Sequence, residues 1–218
     1  MALLVYAPPL SPYLKIIYQD EDVLLLDKPS GLLTVPGKAT EHRDCLQLRA
    51  QRVFPGASIV HRLDMATSGL LLMAMNKHSH RHISRQFELR QTSKTYQARV
   101  FGKLVADQGS VDLPLICDWP NRPKQMVDFE RGKQALTHWR VLAREQDSTL
   151  VELLPITGRS HQLRVHMLSL GHPILGDRLY AHPQALAMSP RLQLHACQLS
   201  FTHPQSGLSL NFHSPCPF

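Results

Sequence analysis

The stretch His61-Arg62-Leu63-Asp64-Met65-Ala66-Thr67-Ser68-Gly69-Leu70-Leu71-Leu72-Met73-Ala74 sets a histidine, an arginine and an aspartate directly ahead of an unbroken apolar run. A run of that length without polar alternation reads as a strand covered on both faces, and Thr67-Ser68-Gly69 supplies the turn leading into it. A carboxylate on a loop just before such a strand is held by a rigid scaffold beside low-dielectric surroundings. There it can act as a nucleophile or a base. The ordinary alternative is a turn-capping aspartate. His61 and Arg62 make the loop cationic, which favours an ionised, paired Asp64 and a loop able to meet phosphate.

The flanking sequence builds a sheet around that strand. Lys15–Gln19 and Val23–Asp27 are β-rich runs about the turn Asp20-Glu21-Asp22 and predict a hairpin ending at Lys28-Pro29-Ser30-Gly31. Asp44 is placed to cap a helix over Cys45–Phe54. A second helix is expected near Ser79–Leu89, with Ile83 and Phe87 facing inward and Lys77, Arg81 and Arg85 recurring along one side. Thr95–Phe101, Leu136–Leu142 and Leu150–Leu154 carry strand patterns. A last helix is expected from Ser160 to Leu170, closed by Gly171, and Leu192–Phe212 reads as two strands about Pro204-Gln205-Ser206-Gly207. Strands outnumber helices and several are adjacent hairpins. The expected class is therefore mixed α/β, or α+β, on a largely antiparallel sheet. With no internal repeat and no flexible linker, a single domain over residues 1–218 is the simplest organisation.

Two further segments concentrate polar chemistry. Thr157-Gly158-Arg159-Ser160-His161-Gln162-Leu163-Arg164-Val165-His166 opens the last helix, whose N-terminus favours anions, and distributes Gln162, Arg164 and His166 around it instead of forming one solvated stripe. Tyr96, on the strand Thr95–Phe101, is either an ordinary cross-strand tyrosine or an aromatic face for a nucleobase. Residues 77–103 hold seven cations against Glu88 alone, six of the chain's seven net positive charges. A one-sign run without i, i+4 acidic partners is more economically explained by phosphate contact than by a solvated face, and Arg81, Arg85 and Lys94 are its candidate contacts.

Composition narrows the classes. With 43% hydrophobic and 19% charged residues over 218 positions, the chain can bury a core, which excludes a disordered basic tail. The excess of 24 Lys and Arg over 17 Asp and Glu points to an anionic partner, with nucleic acid ahead of membrane because no basic amphipathic helix or membrane-length apolar run is present. The cysteines, at 45, 117, 197 and 216, form no Cys-x-x-Cys pair and fit reduced thiols in the cytoplasm. His78 and His82 could share a metal ion, but no third ligand is evident and Arg81 and Arg85 would repel it, so no metal is expected.

Taken in order, Lys28–Gly37, His61–Leu70, Thr157–His166 and Gly171–Asp177 resemble the signature of the RluA-type RNA pseudouridine synthases. The resemblance spans residues 28 to 180. Leu113–Gln125 is similar to the branch of that family that modifies both a 23S rRNA loop and tRNA anticodon stem-loops. The resemblance implies one catalytic domain built on a long, split, mostly antiparallel sheet with flanking helices and a central RNA-binding cleft. Residues 1–12 would be a loose N-terminal arm, with no room for an S4-like domain. It further implies conversion of uridine in RNA to pseudouridine without a cofactor, by a cytoplasmic monomer.

By matching position, the resemblance makes Asp64 the essential aspartate, acting at the sugar or on its C2′ proton. Arg164 becomes the basic partner of that aspartate. Tyr96 would stack on the extruded uracil, Arg62 would fill the gap the base leaves, and Leu163 would touch the base. His61, Arg81, Arg85 and Lys94 complete the expected RNA contacts. Extruding a base costs a few kcal/mol, which the filling side chain offsets in part. Two other classes stay open on the residues: a non-catalytic RNA-binding or ribosome-assembly protein using the same cleft, and an aspartate-dependent hydrolase. The second lacks the paired carboxylate that glycoside hydrolysis uses.

Overall fold

A computed structural model describes residues 6–218 of the chain. It is a mixed α+β protein with a large, mostly antiparallel sheet and few helices. The described chain divides into two compact units, one holding Thr95–His195, the other holding residues 6–94 together with Ala196–Pro217.

In the second of these units, β1 (Ile16–Gln19) and β2 (Val23–Lys28) form the expected hairpin, and β2 pairs antiparallel with β4 (Ser68–Ala74). The two-residue β3 (Ser58–Ile59) pairs with the end of β4, and β11 (Leu194–Thr202) follows β4 in the strand order and pairs antiparallel with β12 (Ser209–His213). All seven residues of β4 are buried, as its unbroken apolar run requires. Gly69 has φ of 112°, and a Cβ there would lie 2.3 Å from the carbonyl oxygen of Ala196, so only glycine lets the two backbones approach.

Helix α1 (Leu46–Val53) is capped by the Cys45 sulfur, which accepts from the Leu48 amide, and not by Asp44 as expected. Asp44 instead takes a bidentate ion pair from the buried Arg49, at 2.8 and 2.6 Å. Helix α2 (Lys77–Glu88) starts two residues earlier than expected because Asn76 caps it, accepting from the Ser79 amide at 2.9 Å. It buries Ser79, Ile83 and Gln86 and leaves Lys77, Arg81 and Arg85 exposed. The expected loose arm is anchored where it is described: the Tyr6 hydroxyl donates to the Asp44 carbonyl and accepts from the Leu33 amide, and the Pro9 carbonyl accepts from Arg49. Residues 1–5 of that arm lie outside the described residues.

In the other unit the strand order is β5 (Ser93–Phe101), β10 (Ser148–Pro155), β9 (Leu136–Arg144) and β6 (Gln108–Asp112), all antiparallel. A separate hairpin joins β7 (Leu115–Cys117) to β8 (Gln125–Val127). Helix α3 (Gln162–Ser169) is buried from Gln162 to Met167, and a short α4 (Pro183–Ala187) follows. Among the described residues all four cysteines are free thiols, and no helix is long and apolar enough to cross a membrane.

Candidate active site

The loop carrying Asp64 is held mainly through its backbone. The ammonium of Lys28, fully buried at the end of β2, donates to the carbonyls of Pro29, Leu32 and Met65 at 3.0, 2.7 and 3.0 Å. Ser30 Oγ donates to the Ala66 carbonyl at 2.7 Å, and the Gly31 amide donates to Met65. Thr34 Oγ1 donates to the Leu63 carbonyl at 2.7 Å. The carbonyls on both sides of Asp64 are thus tied to Lys28–Thr34, and the Thr67 amide closes a turn onto the Asp64 carbonyl. This explains the otherwise unassigned Lys-Pro-Ser-Gly-Leu-Leu-Thr segment: its polar side chains buttress the loop. A buried ammonium with three carbonyl acceptors meets the requirement that buried charge be fully hydrogen-bonded. Asp64 itself is half-buried, and Arg62 is exposed with no ion pair among the described residues.

His61 anchors the loop to the sheet. Its Nε2 accepts from the Leu72 amide at 2.9 Å, and its ring stacks on Phe87 with centroids 4.6 Å apart. An amide can only donate, so the ring is neutral with its proton on Nδ1. Burial, with a smaller contribution from the charge of Lys94, pushes its pKa down to about 3. His61, expected from the sequence as an RNA contact, is thus joined to the sheet through Leu72 and packed on Phe87. Lys94 lies with its ammonium 5.9 Å from the Phe87 ring centroid, and burial, then Arg90, lowers its pKa.

The other compact unit presents Tyr96, Leu163 and Arg164. Tyr96 is half-buried on β5, in register with Leu153 of β10, on the face shared with Ala98 and Val100. Leu163 is nearly covered. Arg164 is 4% exposed and makes a bidentate pair with Asp177, Nε to Oδ2 at 2.7 Å and Nη2 to Oδ1 at 2.6 Å. Asp177, itself 1% exposed, also accepts from the Leu179 and Tyr180 amides through Oδ1. Sequence reasoning misses this carboxylate, although it closes the motif Gly171–Asp177. Gly176 positions it: φ is 70°, and a Cβ would sit 2.0 Å from the Arg191 carbonyl oxygen.

The rest of α3 is fixed by a polar network. Gln162 Nε2 donates to Thr137 Oγ1 at 3.0 Å, and Thr137 Oγ1 lies 2.9 Å from His166 Nδ1. His166 Nε2 reaches the Leu113 carbonyl at 3.2 Å, and Thr157 Oγ1 and the Arg159 amide donate to Gln162 Oε1. Gln162 and His166, one turn apart, bind the helix to β9, which leaves Arg164 on another side for Asp177. Before the helix, His161 holds a left-handed backbone at φ of 54°, and its Nδ1 is 2.7 Å from the Tyr180 hydroxyl.

Of the cationic block, Arg99 is ion-paired with Glu145 and so leaves the set available to a partner. Arg81 and Arg85 line an open depression with His80, Ser84, Glu88 and Leu89 on the outer side of α2. Asp20, Asp22 and His203 lie close enough to share an ion, but their atoms are already engaged: His203 Nδ1 accepts from the Gln205 and Ser206 amides, leaving Nε2 to donate to Asp20.

Comparison with known proteins shows what the chain is similar to. Residues 22–169, more than half of the chain, match the family described as RNA pseudouridylate synthase. The chain is 57% identical over 204 residues to the dual-specificity RNA pseudouridine synthase RluA of Yersinia pestis, covering 93% of this chain and 99% of that protein. It is 56% identical over 214 residues to the protein of the same name from Escherichia coli K12, covering 98% of each. Among solved structures, human RNA pseudouridylate synthase domain containing 1 superposes with a TM-score of 0.79 at 30% identity, covering 94% of this chain and 84% of that one.

Proposed function

The chain belongs to the RNA pseudouridylate synthase family and isomerises uridine within RNA; on that premise we propose that Asp64 is its catalytic carboxylate. The observation that carries this assignment is the fixed loop: hydrogen bonds from Lys28, Ser30, Gly31 and Thr34 to carbonyls flanking a half-buried aspartate hold the backbone that carries its carboxylate in one place. Such preorganisation is what an attacking or proton-accepting group requires. In the reaction the N-glycosidic bond breaks, the uracil turns, its C5 bonds to the sugar and gives up its proton, and N1, released from the sugar, takes up a proton, so that the product is an isomer of the substrate. An ionised carboxylate serves either attack at the sugar or removal of the C2′ proton.

Around it we assign Tyr96 to the face of the extruded uracil, Leu163 to apolar contact with the base, and Arg164 to charge complementarity, fixed in orientation by Asp177. Arg62, exposed and without an ion pair among the described residues, fills the space the base leaves. Arg81, Arg85 and Lys94 contact phosphate. His61 is reassigned to positioning, because its Nε2 is committed to Leu72. The two compact units work as one catalytic domain, a reading supported by the family match running from residue 22 through residue 169. The proposed substrates are a tRNA anticodon stem-loop and a 23S rRNA loop, in keeping with the dual specificity in the names of the relatives, met by a monomer in the cytoplasm. Replacing Asp64 with Asn and measuring pseudouridine in a stem-loop by carbodiimide primer extension tests the assignment; loss of product with retained RNA binding supports it.

A further inference from the structure

The hairpin β7–β8 carries features that the proposed chemistry does not use. Between its strands lies a short turn held by its own backbone: the Asp118 amide donates to the Lys124 carbonyl at 3.0 Å, the Asn121 amide to Asp118 at 3.0 Å, and the Lys124 amide to Asn121 at 3.1 Å. The base of the hairpin is equally fixed, with Leu115 and Lys133 exchanging backbone hydrogen bonds and Leu115 buried with Ala135 and Val165. On this rigid support Trp119 is 64% exposed. The guanidinium of Arg122 lies 4.3 Å from its ring centroid.

An exposed indole on a preorganised loop is unusual for surface that meets only water. Its surroundings indicate the partner. Arg122, Lys124, Arg131 and Lys133 form no ion pair among the described residues, whereas two of the three nearby carboxylates are engaged, Asp118 by Asn121 and Asp128 by the Glu130 and Arg131 amides. A flat aromatic face with the Arg122 guanidinium against it, on a hairpin whose other nearby cations form no ion pair among the described residues, complements a group that is itself flat and joined to a phosphate. The hairpin is also tied to Arg164: the Gln125 amide donates to the Tyr180 hydroxyl at 2.8 Å, and the Arg164 guanidinium lies 5.0 Å from the Tyr180 ring centroid.

We propose that Trp119, with Arg122, stacks on an unpaired base of the substrate RNA and so selects loops over duplex. This deepens the RNA-isomerase reading and rests on it. Aromatic stacking on a base is sequence-tolerant and typically contributes about 1–3 kcal/mol, equivalent to roughly a 5- to 150-fold change in affinity.

The test uses the full chain carrying Asp64→Asn, so that RNA is bound without turnover, and a short RNA stem-loop with a uridine in its loop. Trp139 is buried, so a fluorescence change on titration reports chiefly on Trp119. The stem-loop should quench the emission, and the blunt duplex of the same stem should not. Adding Trp119→Ala should weaken stem-loop binding at least fivefold, and Arg122→Gln, which keeps the indole, should weaken it by a smaller factor. Equal quenching by duplex, or affinity within twofold for both variants, would overturn the proposal and leave the patch to a protein partner. Because the readout is binding, its failure is distinct from failure of the catalytic assignment, which shows instead as pseudouridine made by Asp64→Asn.

Discussion

Replacing Asp177 with Asn tests the electrostatic arrangement that the structure places behind Arg164. The amide keeps the volume of the carboxylate, and its oxygen can still accept from the Leu179 and Tyr180 amides, so the change isolates the charge pair. What disappears is a pair of ionised acceptors for a guanidinium that is 4% exposed. The new amide N–H₂ would face the Arg164 Nε–H, donor against donor. Removing one partner of a buried, bidentate pair costs about 3–5 kcal/mol, because the guanidinium loses both carboxylate acceptors of that pair. For a chain of this size that corresponds to a fall in Tm of about 6–20 °C. The assay is denaturant unfolding followed by the emission of buried Trp139, in a Trp119→Phe background so that one fluorophore reports. Arg164→Met with Asp177→Leu removes both charges and should recover most of the stability, since an apolar pair of similar volume is often neutral. It should not recover isomerisation if Arg164 acts on the substrate. A destabilisation below about 1 kcal/mol for Asp177→Asn would show that the bidentate Arg164–Asp177 pair does not hold this part of the fold together.

Two further outcomes follow from the same structure. The His61 pKa is depressed to about 3 and burial lowers His166 as well, so the unfolded chain binds protons that the folded chain does not. Stability is then complete above the unfolded histidine value of about 6.5 and falls as pH drops below it, by up to about 1.4 kcal/mol per pH unit for each histidine. His61→Gln should flatten the denaturation midpoint between about pH 6.5 and 4.5; an unchanged slope would contradict a neutral His61. Charge reversal at Arg81 and Arg85 should weaken RNA binding and reduce the salt dependence by about 0.9 in log–log slope for each phosphate no longer neutralised. Identical slopes would remove the outer side of α2 from the RNA-binding surface.

The elements that carry the fold are legible where periodicity is strong. The β1–β2 hairpin, the apolar β4, helix α2 and the β11–β12 pair all announce themselves in sequence, because each buries a regular face or a continuous run. Strands β6, β7 and β8 do not. Gln108–Asp112 is polar and mostly exposed, and three-residue strands are too short to show a period. The first helix cap departs from expectation for a local reason: Asp44 has the right chemistry for an N-cap, but a buried Arg49 five residues later claims its carboxylate. At the site, Asp64 and Arg164 stand out as charges inside apolar surroundings. The role of Lys28 does not, since a lysine's three carbonyl acceptors depend on a loop closing back over it. Nor does Asp177, whose partner lies 13 residues away with a tight turn between, a relation set by tertiary structure.

The proposed role of Asp64 in driving the isomerisation is measured most directly by following the atom the reaction must release. With a stem-loop RNA tritiated at C5 of uridine, the wild-type chain should release tritium to water as pseudouridine forms. Asp64→Asn should bind the same RNA within a few-fold of wild type and release none above background. Sustained release by that variant at a rate near wild type would remove Asp64 from the chemistry.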